Sequence, residues 1–278
     1  MRQTSSVVYL AVDSLIPLKG RPLPGLDEFT ATMDHAGIPI VWVSTRTRLQ
    51  LDDPRRKIGH NHPFIAEDGC GVYLPEDYFH LRPEKSVRLG RFMCIPVAEQ
   101  QPAAPEALEA AAEAAGVEVV PLRSLSPREL AQNSGLPSRE AELLRQRDFD
   151  ELFFLAGASD EDTKRLRTEA QSRKLQLREH GVLWSAAVGA SLAKCVRELS
   201  GLYDRALRRH ASSVAIATPE QAASLFPTCD RRIALTEGKL DNSQDSETGP
   251  TRKGSAEELA LRDPELWQRL AERLVPQA

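Results

Sequence analysis

The chain has 278 residues, of which 41% are hydrophobic, and it carries a formal net charge of −4 at pH 7. This length predicts one large or two modest domains with enough apolar residues to bury a core. The charge balance gives no signal for nucleic acid or a membrane surface, and no apolar run approaches the roughly 20 residues that span a bilayer. Four scattered cysteines and a polar N-terminus without the form of a secretion signal favour a cytoplasmic protein.

The first elements form a strand–helix–strand unit. Residues 7–12 are continuously apolar, which is typical of a buried parallel strand, and they end at Asp13. Residues 26–37 have apolar side chains at near-helical spacing, and residues 38–43 are a second buried strand that ends at Ser44. Because ligands bind beyond the carboxyl ends of strands in such sheets, we expect a site near these two polar residues.

The rest of the chain predicts an insert followed by a return to the first sheet. Residues 89–97 are interpreted as the first strand of a second domain, and residues 256–275 as a closing helix, whereas the polar stretch 237–255 indicates a mobile loop. Within the insert we expect helices in 102–115, 126–147 and 160–174, and strands in 117–122, 149–156 and 175–187. After it we expect helices 191–209 and 219–226 and strands 213–217 and 231–235.

Four blocks in order carry a family resemblance. They are Asp-Ser-Leu-Ile at 13–16, Gly-Ile-Pro-Ile-Val leading to Ser-Thr-Arg-Thr-Arg at 37–48, the stretch 62–75 with Ala-Glu-Asp-Gly at 66–69, and Arg-Asp-Phe-Asp-Glu-Leu-Phe at 147–153. Together they resemble the haloacid dehalogenase (HAD) superfamily and, within it, the mannosyl-3-phosphoglycerate phosphatase family. In the third block the family has Glu-Asn-Gly, so Asp68 replaces the asparagine.

The resemblance implies an α/β fold with two parts. A Rossmann-like HAD core with a parallel sheet would comprise residues 1–87 and 184–278. An inserted mixed α/β cap domain would comprise residues 88–183, and the last of the four blocks lies in it.

The resemblance also implies catalytic roles, and this sequence departs from them. Such phosphatases attack phosphorus with one aspartate and use a second, two residues later, as acid and base. Ala11 stands at the nucleophile position and Asp13 at the acid/base position. Ser44 matches the hydroxyl that binds the transferring phosphoryl group, whereas Leu192 stands at the position of the essential lysine.

The metal site implied by the family is also altered. Thr218 and Ala222 stand where the family carries carboxylates for Mg²⁺, an ion that requires hard oxygen ligands. Asp13 and Glu220 would be ligands only if a metal site survives. No cofactor is therefore expected, and Mg²⁺ only if the protein is active.

These replacements favour a catalytically degenerate relative that binds a phosphorylated sugar or glycerate, or a protein partner, without nucleic acid or membrane binding. One alternative is an active Mg²⁺-dependent phosphatase acting on a phosphorylated glyceric-acid glycoside, and another is a structural partner subunit. The predicted ligand-binding residues are Ser44, Arg46, Arg48, Asp68, Lys194 and Arg147.

Overall fold

Two sheets organise the chain in the computed structural model, which describes residues 6–18, 21–80, 83–237 and 256–275. The larger sheet has nine strands, and the smaller has four. The strands are β1 (Ser6–Ala11), β2 (Ile40–Val43), β3 (Phe64–Ala66), β4 (Gly71–Pro75), β5 (Val87–Leu89), β6 (Phe92–Pro96), β7 (Val119–Pro121), β8 (Glu151–Leu155), β9 (Leu175–His180), β10 (Leu183–Val188), β11 (Ser212–Ala217), β12 (Arg231–Thr236) and β13 (Glu257–Ala260). The α-helices are α1 (Leu26–His35), α2 (Arg48–Ile58), α3 (Ala103–Ala115), α4 (Pro127–Ser134), α5 (Ser138–Arg145), α6 (Asp160–Ser172), α7 (Leu192–Leu207), α8 (Pro219–Leu225) and α9 (Leu266–Leu274).

The larger sheet has the order β13-β12-β11-β1-β2-β3-β4-β6-β5. Strands from β13 to β3 pair in parallel, and β4, β6 and β5 add an antiparallel edge. The smaller sheet, β7-β8-β10-β9, is antiparallel and lies with helices α3 to α6 in the insert, which is named the cap below. The predicted α/β fold, a Rossmann-like core with an inserted mixed cap, is confirmed.

Strand β1 illustrates that both faces of the larger sheet are buried. Its alternate residues enter two different apolar clusters, with Val8 and Leu10 on one face and Tyr9 and Ala11 on the other. The first cluster takes apolar residues from α1, α2 and α9, and the second takes them from α7 and α8. A strand buried on both faces requires the continuous apolar run that the sequence has here.

Two predicted elements are wrong. Residues 256–275 form strand β13, which pairs in parallel with β12, and then helix α9, so they are not one helix. Residues 89–97, interpreted as the first strand of the second domain, belong to the larger sheet because β6 pairs with β4. The cap sheet therefore starts only at β7, although the predicted division into two domains stays a prediction.

One helix was not anticipated, and one predicted loop cannot be compared. Helix α2 contains Pro54 and has few apolar residues, although Thr47 and Gln50 form a capping box at its start. Residues 238–255, nearly all of the predicted mobile loop, lie outside the described residues. In the described part of the chain, no helix has the length and hydropathy to cross a membrane.

Candidate functional site

The carboxyl edge of the parallel strands brings Asp13 and the loop after β2 together. The Ser44 hydroxyl donates to Asp13 Oδ1, and the Thr45 backbone N–H and hydroxyl donate to Asp13 Oδ2 at 2.9 and 2.8 Å. Gln221 Nε2, from the start of α8, donates to the same oxygen at 3.2 Å. The Asp13 carboxylate is therefore an acceptor with protein donors on both oxygens.

Arg46 supplies a positive charge to this carboxylate. Its Nε lies 3.6 Å from Asp13 Oδ1, and its terminal nitrogen donates to the Asp13 carbonyl at 3.0 Å. Burial lowers the pKa of the Arg46 guanidinium, and the nearby carboxylates of Asp13 and Glu140 oppose that shift. The predicted ligand-binding arginine thus forms an ion pair with the predicted acid/base residue.

The two residues predicted at the family's nucleophile and lysine positions are apolar and buried. Ala11 and Leu192 belong to the same apolar cluster, and they are 0% and 4% exposed. Gly69 has a φ of +88°, and a Cβ built there would lie 2.6 Å from Leu192 N. The backbone of the loop after β3 therefore packs tightly against the first turn of α7, which requires glycine at this position.

The residues at the metal positions do not fit Mg²⁺, which HAD phosphatases generally use. Thr218 is buried and its hydroxyl lies 3.2 Å from that of Ser14, and Ala222 offers no ligand. Glu220 is exposed, and its hydrogen bond with the Thr218 side chain lowers its pKa. Among the described residues there is no group of three His, Cys, Asp or Glu side chains arranged to hold a metal. A hard cation would also have to displace the donors that already occupy Asp13.

A buried carboxylate joins the core to the cap. Glu67, 0% exposed, accepts from the backbone N–H groups of Asp148, Phe149 and Asp150 at 2.9, 2.9 and 3.1 Å. Burial, with the Asp150 carboxylate, raises the pKa of Glu67 to about 8, although Arg147 opposes the shift. Three backbone donors on one side chain fix the position of the 148–150 segment relative to β3.

Two other predicted arginines also connect core and cap. Arg147 forms an ion pair with Asp150 and donates to the Thr45 carbonyl at 2.8 Å. Arg48 donates from Nε to Asp148 Oδ2 at 2.7 Å. Both guanidinium groups therefore have carboxylate partners within the protein.

The last two predicted ligand-binding residues differ in their surroundings. Asp68 forms an ion pair with Arg178 of the cap, and it lines the cleft described below. Lys194 is exposed in the first turn of α7, where its backbone N–H is capped by the Ser191 hydroxyl at 3.2 Å. Lys194 is not among the residues that line the cleft.

A cavity of about 240 Å³ lies between the core and the cap. From the core it is lined by polar residues around Asp13 and by Leu18, and from the cap by several leucines. The lining residues are Asp13, Leu18, Thr45, Arg46, Gln50, Asp68, Leu136, Leu144, Arg147, Asp150, Leu152, His180, Leu183 and Ser185. This cavity, named the cleft below, joins five of the predicted site residues: Asp13, Arg46, Asp68 and Arg147 line it, and Ser44 binds Asp13.

Sequence reasoning missed Thr45, Gln221 and Glu67. Thr45 follows Ser44 directly, and its hydroxyl at the end of a buried strand was a usable signal. Gln221 lies 208 residues from Asp13, so its contact depends on the order of strands in the sheet. Glu67 was visible as part of the third block, but its buried role depends on the cap backbone.

Curated proteins with similar sequences are phosphatases. Glucosyl-3-phosphoglycerate/mannosyl-3-phosphoglycerate phosphatase of Methanococcoides burtonii is 25% identical over 167 residues, which is 60% of this chain and 61% of that protein. Mannosyl-3-phosphoglycerate phosphatase of Pyrococcus furiosus is 24% identical over 149 residues, 54% of this chain and 60% of that protein. The chain thus matches about three fifths of the length of these relatives. No protein-family model matches the chain.

Solved structures with the same fold are also found. A HAD-superfamily phosphatase of Bacteroides thetaiotaomicron has a TM-score of 0.65 and 16% identity, and the match covers 99% of this chain and 97% of that one. The chain therefore has the fold of the HAD-superfamily phosphatases. Within that class its named sequence relatives are mannosyl-3-phosphoglycerate phosphatases, which confirms the resemblance read from the four blocks.

Proposed function

We propose that the chain is a catalytically degenerate relative of the sugar phosphatases that binds a small ligand in the cleft without hydrolysing it. The observation that carries this proposal is the state of Asp13, whose carboxylate is ion-paired with Arg46 and accepts from Ser44, Thr45 and Gln221. A general acid and base must exchange protons with a leaving group and water, and these protein donors compete for the same oxygens.

Neighbouring positions support the proposal. Ala11 has no nucleophilic atom, and Leu192 cannot neutralise a phosphoryl group. Catalytic groups of this kind act as a unit, and the loss of one member removes most of the rate enhancement. With the nucleophile, the lysine and two metal carboxylates all replaced, none of these four positions supplies its catalytic group.

The experiment is a phosphate-release assay on the purified full chain. The substrates are mannosyl-3-phosphoglycerate and glucosyl-3-phosphoglycerate with Mg²⁺, and Asp13→Asn is the matched variant. We expect phosphate release no faster than in the absence of protein, with no difference between the variant and the native chain. A Mg²⁺-dependent turnover that copurifies with the protein and disappears in Asp13→Asn would establish the active phosphatase instead.

The resemblance implies a phosphorylated sugar or glycerate as the ligand. Such an anion would have to displace a carboxylate from Arg46 or Arg147, since each guanidinium already has a partner. Calorimetry with 3-phosphoglycerate tests this class, and heat that is lost in Ser44→Ala would support it. A protein partner, or a structural role beside a related subunit, is favoured if no small molecule binds.

A further inference from the structure

The cap lines the cleft with four leucines and with the polar residues His180 and Ser185, whose side chains hydrogen-bond each other at 3.0 Å. Leu136, Leu144, Leu152 and Leu183 all line it, and they also belong to or pack against one apolar cluster of the cap. Leu18 of the core adds a fifth leucine to the lining. A sugar buries hydroxyl groups that need hydrogen-bond partners; the leucine side chains provide none, and His180 and Ser185 already bond each other.

The charges that line the cleft are balanced. Asp13 is paired with Arg46 and Asp150 with Arg147, while Asp68 is paired with Arg178. A phosphate dianion would meet three carboxylates whose cations are already engaged. Burying such an anion without a free cation is costly, so the electrostatics favour an uncharged ligand.

Gln50 provides a polar contact that the protein itself does not use. It lines the cleft and is 4% exposed, and its Oε1 accepts from the Thr47 N–H at 3.2 Å. Its Nε2 is buried and has no hydrogen-bond partner among the described residues. A buried amide donor without a partner is costly, and a ligand acceptor would satisfy it after the amide, which has almost no accessible surface here, turns toward the cleft.

We infer that the cleft binds an uncharged amphiphilic small molecule, with an apolar body among the cap leucines and an acceptor oxygen at Gln50. This inference rests on the proposed function and names its ligand class: an alcohol, amide or ether with a short hydrocarbon portion. The volume of about 240 Å³ is at the small end for ligand pockets, which limits the ligand to a compact molecule.

The test uses butan-1-ol, hexan-1-ol and hexyl phosphate as probes, with binding to the full chain followed by calorimetry and by NMR shifts. Each added methylene buried in the cleft should tighten the dissociation constant about fourfold. Hexyl phosphate has the same tail as hexan-1-ol and should bind at least about tenfold more weakly, because its charge cannot be paired.

Two variants connect binding to the cleft. Leu183→Asn should weaken hexan-1-ol binding about fivefold or more, since it replaces an apolar lining residue with an amide. Val182→Asn is the matched control, because its neighbouring side chain is 78% exposed and does not line the cleft. Gln50→Glu keeps the capping acceptor but removes the amide donor, and should weaken binding about threefold to tenfold.

The outcomes separate this inference from the function on which it rests. Tighter binding of hexyl phosphate than of hexan-1-ol, or no loss in Leu183→Asn, would overturn the neutral ligand class. Failure of every alkyl probe to bind would also overturn it, while the absence of phosphate release would still stand. Hydrolysis of a phosphate ester would instead remove the proposed function, whatever the alcohols do.

Discussion

Ala11 and Leu192 are uncharged residues that the family resemblance aligns with an aspartate and a lysine. Both are buried in one apolar cluster, so a charge at either position alone would lie among apolar side chains. An unpaired buried charge costs several kcal/mol, which is the reason to expect the two replacements together. The remaining charges of the site follow the same rule, since Asp13 keeps Arg46 beside it.

Restoring the nucleophile alone should harm the protein. We expect Ala11→Asp to lower the free energy of unfolding by about 3–5 kcal/mol, because it buries a carboxylate among apolar side chains without a cation. Urea unfolding measures this change, and a phosphate-release assay with Mg²⁺ should still show no turnover. Ala11→Ser is the control, as it adds a small polar group without a charge and should cost about 1–3 kcal/mol. Phosphatase activity in Ala11→Asp at native stability would contradict both expectations.

At the scale of elements, the sequence predicted the helices and strands whose local pattern of apolar residues is sufficient to identify them. Strands β1, β2 and β11 are continuous apolar runs and were found close to their observed bounds. Residues 256–275 were misread because apolar spacing there fits a helix, whereas parallel pairing with β12 decides that Glu257–Ala260 extends the sheet. Helix α2 was missed because Pro54 and its polar composition hide an amphipathic element.

The same distinction between local pattern and tertiary contact holds for the candidate site. Asp13 and Ser44 could be predicted to lie close together because each comes within two residues of the end of a buried parallel strand. The ion pair between Asp13 and Arg46 could not, since side-chain pairing in a loop depends on the final backbone. The Glu67 contact with residues 148–150 was equally hidden, because its donors are backbone groups that have no sequence signature.

Two buried glutamates, Glu67 after β3 and Glu151 in β8, should make the stability of the fold depend on pH. Burial raises the pKa of Glu67 from the usual 4.5 to about 8, and that of Glu151 to about 7. The folded state therefore holds protons that the unfolded chain releases, and the free energy of unfolding should fall as pH rises from about 5 to 8. Each group contributes a slope of at most about 1.4 kcal/mol per pH unit.

Glu67→Gln should remove its part of that slope. The amide does not titrate, so the variant's free energy of unfolding should change less between pH 5 and 8 than that of the native chain. Urea unfolding at several pH values measures both slopes, and Glu151→Gln serves as the matched control for the second group. Parallel curves for Glu67→Gln and the native chain would show that Glu67 is ionised in both states throughout this range.

For the whole molecule, one short segment supplies many of the contacts between core and cap, in addition to the ion pair between Asp68 and Arg178. Residues 147–150 provide the Arg147 contact to Thr45, the Asp148 ion pair with Arg48 and the three N–H groups bound by Glu67. These contacts lie beside the cleft, so they hold the cap over the polar groups around Asp13. Opening the cleft would require several of them to break together.

Weakening one of these contacts should therefore loosen the segment while leaving the sheet intact. In Arg48→Ala we expect the backbone N–H groups of Asp148, Phe149 and Asp150 to exchange with solvent about tenfold faster, which corresponds to a local loss of about 1.4 kcal/mol. Amide hydrogen exchange read by NMR gives these rates, with the β1 and β11 amides as internal references. Arg56→Ala is the control, because that side chain lies on the same helix but pairs only at the exposed surface, with Asp53 at 3.0 Å. Equal acceleration of the β1 amides would mean that the whole fold has been destabilised, and unchanged rates at 148–150 would mean that the ion pair between Arg48 and Asp148 does not restrain the segment.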